Sequence, residues 1–174
     1  MKLLVIDTSY SLEDINKKKL HQAIFSRDLN GYFKKVWSIH PFASLVTSEN
    51  WSNKYGPAKT YILNKKHIFI EGKIGRYKVF KFIPFLNFVI AQIEIFFLLK
   101  KIILEEKINI IKSSDPLYNS LLAYMLSKST KIPFLVRVSG NFDKIYKDTK
   151  KPIMGKLFFF RFIEKYIEKF IFKK

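Results

Sequence analysis

Apolar and polar positions along the chain follow two rhythms, a short one that predicts strands and a longer one that predicts helices. "KLLVID", residues 2–7, is a compact apolar run that gives way to polar "DTSYS". It reads as a buried strand followed by a loop. "LEDINKKKLHQAIFSRDLNGYF" predicts one helix ending near Asn30-Gly31, a good capping pair. "KKVWSIHPFA" predicts a second strand, with Val36 and Ile39 apolar and Pro41 at its exit. "SLVTSENWSNKYGPAKT" is polar and turn-rich and reads as a loop. Short alternating runs follow at Tyr61-Ile62-Leu63, at His67 to Ile70, and at Tyr77, Val79 and Phe82, punctuated by Gly72 and Gly75. Small strands or a hairpin fit them best.

From Phe85 to Glu106 the pattern is helical. Asn87, Ala91, Glu94, Lys101 and Glu105 fall near one line, and nearly everything else is apolar. So narrow a polar stripe predicts a helix covered on more than one side. "KINIIKSSD" predicts a third major strand. The next helix begins with Ser114 or Asp115 as N-cap and Pro116 at its first position. Leu117, Leu121, Leu122 and Met125 form its expected buried face. Lys131-Ile132-Pro133 turns into the strand "FLVRV", which stops at the turn formers Ser139-Gly140-Asn141. The last stretch, "PIMGKLFFFRFIEKYIEKFIFKK", predicts an amphipathic helix. Arg161, Glu164, Lys165, Glu168 and Lys169 share one face; Phe158, Phe159, Phe162, Ile163, Tyr166, Ile167 and Phe170 share the other. Apolar strands alternating with helices predict the α/β class: a Rossmann-like, doubly wound, mainly parallel sheet with helices on both faces. Residues 1–174 form one such domain.

Composition narrows the chemistry. The chain is 48% hydrophobic and 17% aromatic, enough for a real core. It has no cysteine, which excludes disulfides, thiolate-metal sites and a cysteine nucleophile. Thirty-two Lys+Arg against 14 Asp+Glu give a net charge of +18. That balance favours phosphates or an anionic membrane face, although A/T-rich codons would also supply abundant Lys, Ile, Phe, Asn and Tyr. Arginine is confined to Arg27, Arg76, Arg137 and Arg161, so specific nucleic-acid reading is not expected. No secretion signal is expected, because Asp7 interrupts the first apolar run. The stretch 82–99 approaches the length of a membrane span but carries Pro84, Asn87, Gln92 and Glu94. A cytoplasmic protein, peripheral at the inner face of the cell membrane, fits best. The basic amphipathic last helix and Lys100-Lys101 are its expected contacts with an anionic bilayer.

Several site types are missing. "DTSYSL" stands where a dinucleotide fingerprint needs glycines, and "GKIG" lacks Walker spacing. His21, His40 and His67 lack carboxylates at metal-motif spacing, so no metal is expected and each reads as a core or surface histidine. What remains is a set of strand ends: Asp7, Thr8, Ser9 and Tyr10; Ser114 and Asp115 after Ser113; and Ser139, Gly140 and Asn141. In a doubly wound sheet such ends line the ligand crevice. Hydroxyls, an amide and carboxylates there suit a polyhydroxyl or phosphorylated ligand. The same residues also serve as ordinary caps and turns.

"SSDPLYNSLLAYMLSKSTKIPFLVRVSGNFD" resembles a segment of retaining glycosyltransferases of the GT-B type, family 4-like. There, a strand ends in an Asp-Pro helix start, and "-IP-" opens a strand that ends near a glycine. "SRDLNGYFKKVWSIHPFASL" is similar to the region after the first helix of such enzymes. The resemblance implies an acceptor-side domain, with the nine strand-end residues as acceptor-binding candidates. The activity it implies is metal-free glycosyl transfer with retention, in assembling a cell-surface or lipid-linked glycan. It also implies a partner, a donor-binding domain or chain holding the nucleotide sugar. Two departures stand out: "DTSYS" replaces a glycine-rich turn, and Ser139 stands where many members have histidine, so only Gly140 matches there. The family's paired glutamates, eight residues apart, do not occur. An alternative reading is a non-catalytic module that docks to an anionic membrane or polymer through its lysines.

Overall fold

The computed structural model describes residues 1–154 and 161–174. Its centre is a six-stranded sheet. In chain order the strands are β1 (Lys2–Ile6), β2 (Lys35–His40), β3 (Lys59–Ile62), β4 (His67–Glu71), β5 (Ile110–Ser113) and β6 (Phe134–Val136). In space they run β3-β4-β2-β1-β5-β6, and every pairing is parallel except the β3–β4 hairpin. The α/β class and the mainly parallel sheet are therefore as the sequence predicts. The small-strand region proves unequal in its two halves. β3 is an exposed edge, whereas all five residues of β4 are buried, and β4 pairs directly with β2.

Alternate residues of the strands feed different clusters, as the twofold pleat requires. Leu4, Ile6, Ile39 and Ile70 pack with α3 (Pro84–Glu105) and α4 (Tyr118–Thr130), through Ile95, Leu99, Ile103, Leu122 and Leu126. Phe69 joins Leu12, Ile15 and Ile24, from α1 (Leu12–Lys17) and α2 (His21–Phe25). Leu3, Val5, Phe33 and Val36 make a third, smaller group. Each fully buried isoleucine or leucine is worth on the order of 2 kcal/mol, so the large cluster under α3 and α4 dominates the core.

The single first helix predicted from the sequence is two. Lys19 takes a left-handed φ of +54°, and the Leu20 amide reaches back to the Ile15 carbonyl at 2.9 Å, closing α1. The reason is geometric. Ile15 and Ile24 are nine residues apart, so a continuous helix would point them to opposite sides. The break lets both be fully buried in one cluster. The expected left-handed exit survives, with Leu29, Asn30 and Gly31 all at positive φ.

Two other helices depart from expectation in the faces they bury. In α3 the supposed polar stripe begins with Asn87 and Ala91, which are 1% and 4% exposed. Asn87 belongs inside because its side chain completes a loop. Its Oδ1 accepts from the Arg76 and Tyr77 amides at 2.7 and 2.9 Å, and its Nδ2 donates to the Tyr77 carbonyl at 2.7 Å. Large apolar residues are exposed instead, among them Phe85, Leu86, Ile93, Phe97 and Leu104. In α6 (Arg161–Phe172), Arg161 and Glu164 are buried, whereas Tyr166 and Phe172 face out. Arg161 pairs through its two terminal nitrogens with Glu164, Asp143 and Glu168 at 3.0–3.2 Å. Glu164 in turn accepts from the Met154 and Ile153 amides at 2.7 and 3.3 Å. Residues 158 and 159 of the predicted apolar face lie outside the described residues.

Helix α4 starts at Tyr118, two residues later than Pro116 predicts. Asp115 still caps locally by accepting from the Leu117 amide at 2.9 Å. Leu117 and Leu122 are buried as expected, Met125 is 48% exposed, and Ala123 and Leu126 take its place inside. Among the described residues, no helix is long and apolar enough to cross a membrane.

Candidate functional site at the carboxyl edge of the sheet

From β1 the chain works outward through β2 to β4. It then returns by way of α3 to β5 and works outward the other way to β6. The border between β1 and β5 is thus a topological switch point, where the exits of neighbouring strands diverge and open a crevice. Thr8, just after β1, and Asp115, just after β5, both line a cavity of about 620 Å³ at this border. Its remaining wall is His40 at the end of β2, then Phe42, Leu45 and Val46, and a loop from Lys151 to Met154. That loop is held in place by the bonds its amides make to buried Glu164.

The polar groups of this wall are unevenly satisfied. His40 is 1% exposed, and neither of its ring nitrogens has a partner among the described residues. Its burial pushes the imidazole down to about 4, so the ring is neutral at physiological pH. A neutral imidazole offers one N–H donor and one lone pair. Phe42 meets the His40 ring edge-on, with centroids 5.2 Å apart. Asp115 is half-buried, and its desolvation raises its carboxyl above the usual range, against the opposing pull of its bonds from Leu117, Asn119 and Ser114. Asn119, at the first turn of α4, ties the two strand ends together. Its Nδ2 lies 3.1 Å from Thr8 Oγ1 and 3.0 Å from Ser114 Oγ, and also donates to Asp115. Its own Oδ1 is buried and has no partner among the described residues.

The nine strand-end candidates are therefore not one constellation. Thr8, Ser114 and Asp115 come together through Asn119. Asp7 turns to Arg27 in an ion pair and accepts from the Ser9 amide at 2.9 Å. Burial alone would raise the Asp7 carboxyl, but Arg27, Ser9 and, more weakly, Ser114 outweigh it and hold it below the usual range. Tyr10 packs against the cluster of Leu12, Ile15 and Ile24. Ser139, Gly140 and Asn141 are exposed and follow β6, which is separated from β1 by β5. Asn141 caps α5 (Phe142–Thr149), accepting from the Lys144 amide at 3.0 Å. Gly140 is not among the positive-φ residues.

Sequence reasoning missed His40, Phe42 and Asn119. The signal for His40 was present: it is the last residue before Pro41 at a strand exit, the same logic that picked out Asp7 and Asp115. Asn119 had none, because its role depends on α4 beginning late enough to set its side chain under both strand ends. No protein-family model matches the chain, and neither does any curated protein or solved structure. What the site can do must come from its own geometry.

Phe42 has a further role as a partition. It meets Tyr118 edge-on at 5.4 Å and Phe88 at 6.3 Å. Phe88 and Tyr118 line a second cavity, of about 500 Å³, between α3 and α4. Gln92 is its main polar group and is occupied, accepting from the Tyr118 hydroxyl at 2.5 Å. Phe42, on the wall of the first cavity, thus packs against two aromatic residues that line the second.

Proposed function

We propose that this chain is the acceptor-side half of a nucleotide-sugar-dependent glycosyltransferase, the doubly wound half of a GT-B pair, and that the cavity over β1, β2 and β5 receives the acceptor. The observation that carries the reading is the buried, unpartnered His40 in a cavity at the switch point. A buried polar group without a partner costs free energy, and a ligand hydroxyl reaching one of its nitrogens would offset part of that cost. Thr8 and Asp115 add a hydroxyl and a carboxyl from the neighbouring strand exits, and Phe42 adds an aromatic side chain to the wall. Such a lining, mostly apolar with a few convergent polar groups, is typical of small-ligand sites. It also explains why glycine is not needed after β1: no phosphate has to approach the backbone there, because the nucleotide sugar is held by the donor-binding partner.

Saturation-transfer NMR on the whole chain tests this, with free hexoses, hexosamines and their disaccharides as probes, beside UDP and GDP. Transfer to sugar protons is expected, and it should be lost in His40→Phe while the fold persists. Stronger transfer to UDP or GDP than to any sugar would place the nucleotide here and overturn the acceptor assignment.

A further inference from the structure

The exit of β4 leads into ten consecutive exposed residues, 77–86, "YKVFKFIPFL". They include Val79 at 76%, Phe82 at 82%, Ile83 at 54% and Phe85 at 79% exposure. A soluble surface scatters such residues singly; a contiguous run of them marks a contact surface. The run continues along α3. Leu86, Ile93, Phe97 and Leu104 are all exposed, at steps of seven, four and seven. Those steps put them on one line of the helix, which extends for about 27 Å at the helical rise.

Along residues 72–93 the charge has one sign, although Glu94 and Glu105 stand beside the stripe farther along α3. Between Glu71 and Glu94 there is no acidic residue, while Lys73, Arg76, Lys78 and Lys81 fall in the interval. Lys73 is buried and Arg76 pairs with Glu94. Lys78 and Lys81 are exposed, and neither forms an ion pair among the described residues. Lys81 instead stands over the Phe82 ring, 4.8 Å from its centroid. Lys100 flanks the stripe farther down the helix, where Lys101 is paired with Glu105 at 3.8 Å. A protein partner's apolar surface would have no need of lysines interleaved with exposed phenylalanines. A bilayer does: aromatic rings enter the boundary between headgroups and acyl chains, while lysines reach back to anionic headgroups.

We infer that residues 77–86 and the Leu86–Leu104 stripe of α3 form a surface that docks on an anionic membrane. The segment is well held for this purpose, because Asn87 ties the Arg76 and Tyr77 amides to the first turn of α3. The inference is independent of what the cavity binds. It also relocates the membrane contact from the last helix to the loop after β4.

Flotation of the full chain with vesicles tests it, comparing phosphatidylcholine alone with phosphatidylcholine containing phosphatidylglycerol. Binding should favour the anionic vesicles at low salt by roughly tenfold or more, and weaken as salt screens the lysines. The Lys78→Gln/Lys81→Gln double variant should lower anionic binding by roughly tenfold or more. The Phe82→Ser/Phe85→Ser variant should lower binding to both kinds of vesicle. Tyr166→Ser in α6 should leave binding unchanged. All of these side chains are exposed, so unchanged circular dichroism is expected throughout. Failure of the wild-type chain to float, equal binding to neutral and anionic vesicles, or full binding by the Phe82/Phe85 variant would overturn the inference. So would an apparent mass in solution that halves in that variant, with no flotation of either form, since the face would then join two copies of the chain.

Discussion

His40 shows how one side chain can link stability to the site. Its ordinary value is 6.5, and burial holds it at about 4 in the fold. Between those values the unfolded chain takes up a proton that the folded chain refuses. Stability is therefore present above pH 6.5 and is lost as pH falls toward 4, by up to about 1.4 kcal/mol per pH unit. His67 is shifted in the same direction by its own burial and adds to the slope. In His40→Phe the slope of unfolding free energy between pH 6.5 and 5 should shrink by the part His40 supplies, leaving what His67 and the ion-paired carboxylates such as Glu13 and Glu106 contribute. Urea midpoints across that range would show it, and an unchanged slope would mean that the ring is already solvated. A neutral, buried histidine without a partner is a local conflict between burial and hydrogen bonding. Such conflicts tend to sit where a ligand resolves them.

Elements were more legible than the faces they bury. Most strands and helices, the parallel sheet and the hairpin follow from apolar rhythm, but α5 does not, and the run at Tyr77, Val79 and Phe82 forms a short helical turn over Lys78–Phe82 instead of a strand. Helix burial does not follow from it when a polar residue has a private reason to be inside. Asn87 completes the loop at Arg76-Tyr77, and Glu164 holds the 151–154 loop, so both invert the expected face of their helix. The break at Lys19 likewise depends on two isoleucines sharing a cluster, which only the tertiary arrangement decides. Strand exits show the same limit: the sequence marks where strands end, but not which exits are neighbours. Gly72 is a position where the element does dictate the residue. A Cβ there would lie 1.9 Å from the Pro41 carbonyl oxygen, with the Ile95 side chain also within 2.5 Å. The β4 exit thus passes against the β2 exit, where the Gly72 amide donates to the His40 carbonyl at 2.9 Å. Gly72→Ala should cost about 3 kcal/mol or more, because backbone has to move. A thermal midpoint within a few degrees of wild type would contradict that packing.

At the scale of the whole molecule, the sheet presents one ligand edge and the site uses only part of it. Thr8, His40 and Asp115 line the cavity from three neighbouring strands, while Asn141 is engaged at the start of α5. Glycosyl transfer needs donor and acceptor held in one geometry, and that orientation supplies much of the rate. On the proposed reading the purified chain should therefore transfer no sugar from UDP-glucose, UDP-galactose, UDP-N-acetylglucosamine or GDP-mannose to any acceptor it binds. Turnover by this chain alone, followed as nucleotide release, would put a donor site within it.

The position of β1 has a consequence in time. Leu3 pairs on one side with Val36 and on the other with Ile110. β1 leaves the ribosome before either neighbour; it gains β2 early, and β5 only when roughly a hundred residues beyond β1 have been made. At ordinary rates of synthesis, about 5–20 residues per second, that is a wait of about 5–20 s. Throughout it, an edge of Leu-Leu-Val-Ile stands open in a half-built sheet. A nascent chain of this topology has a long interval in which an early strand can find the wrong partner, and holding factors at the ribosome would have most to do there.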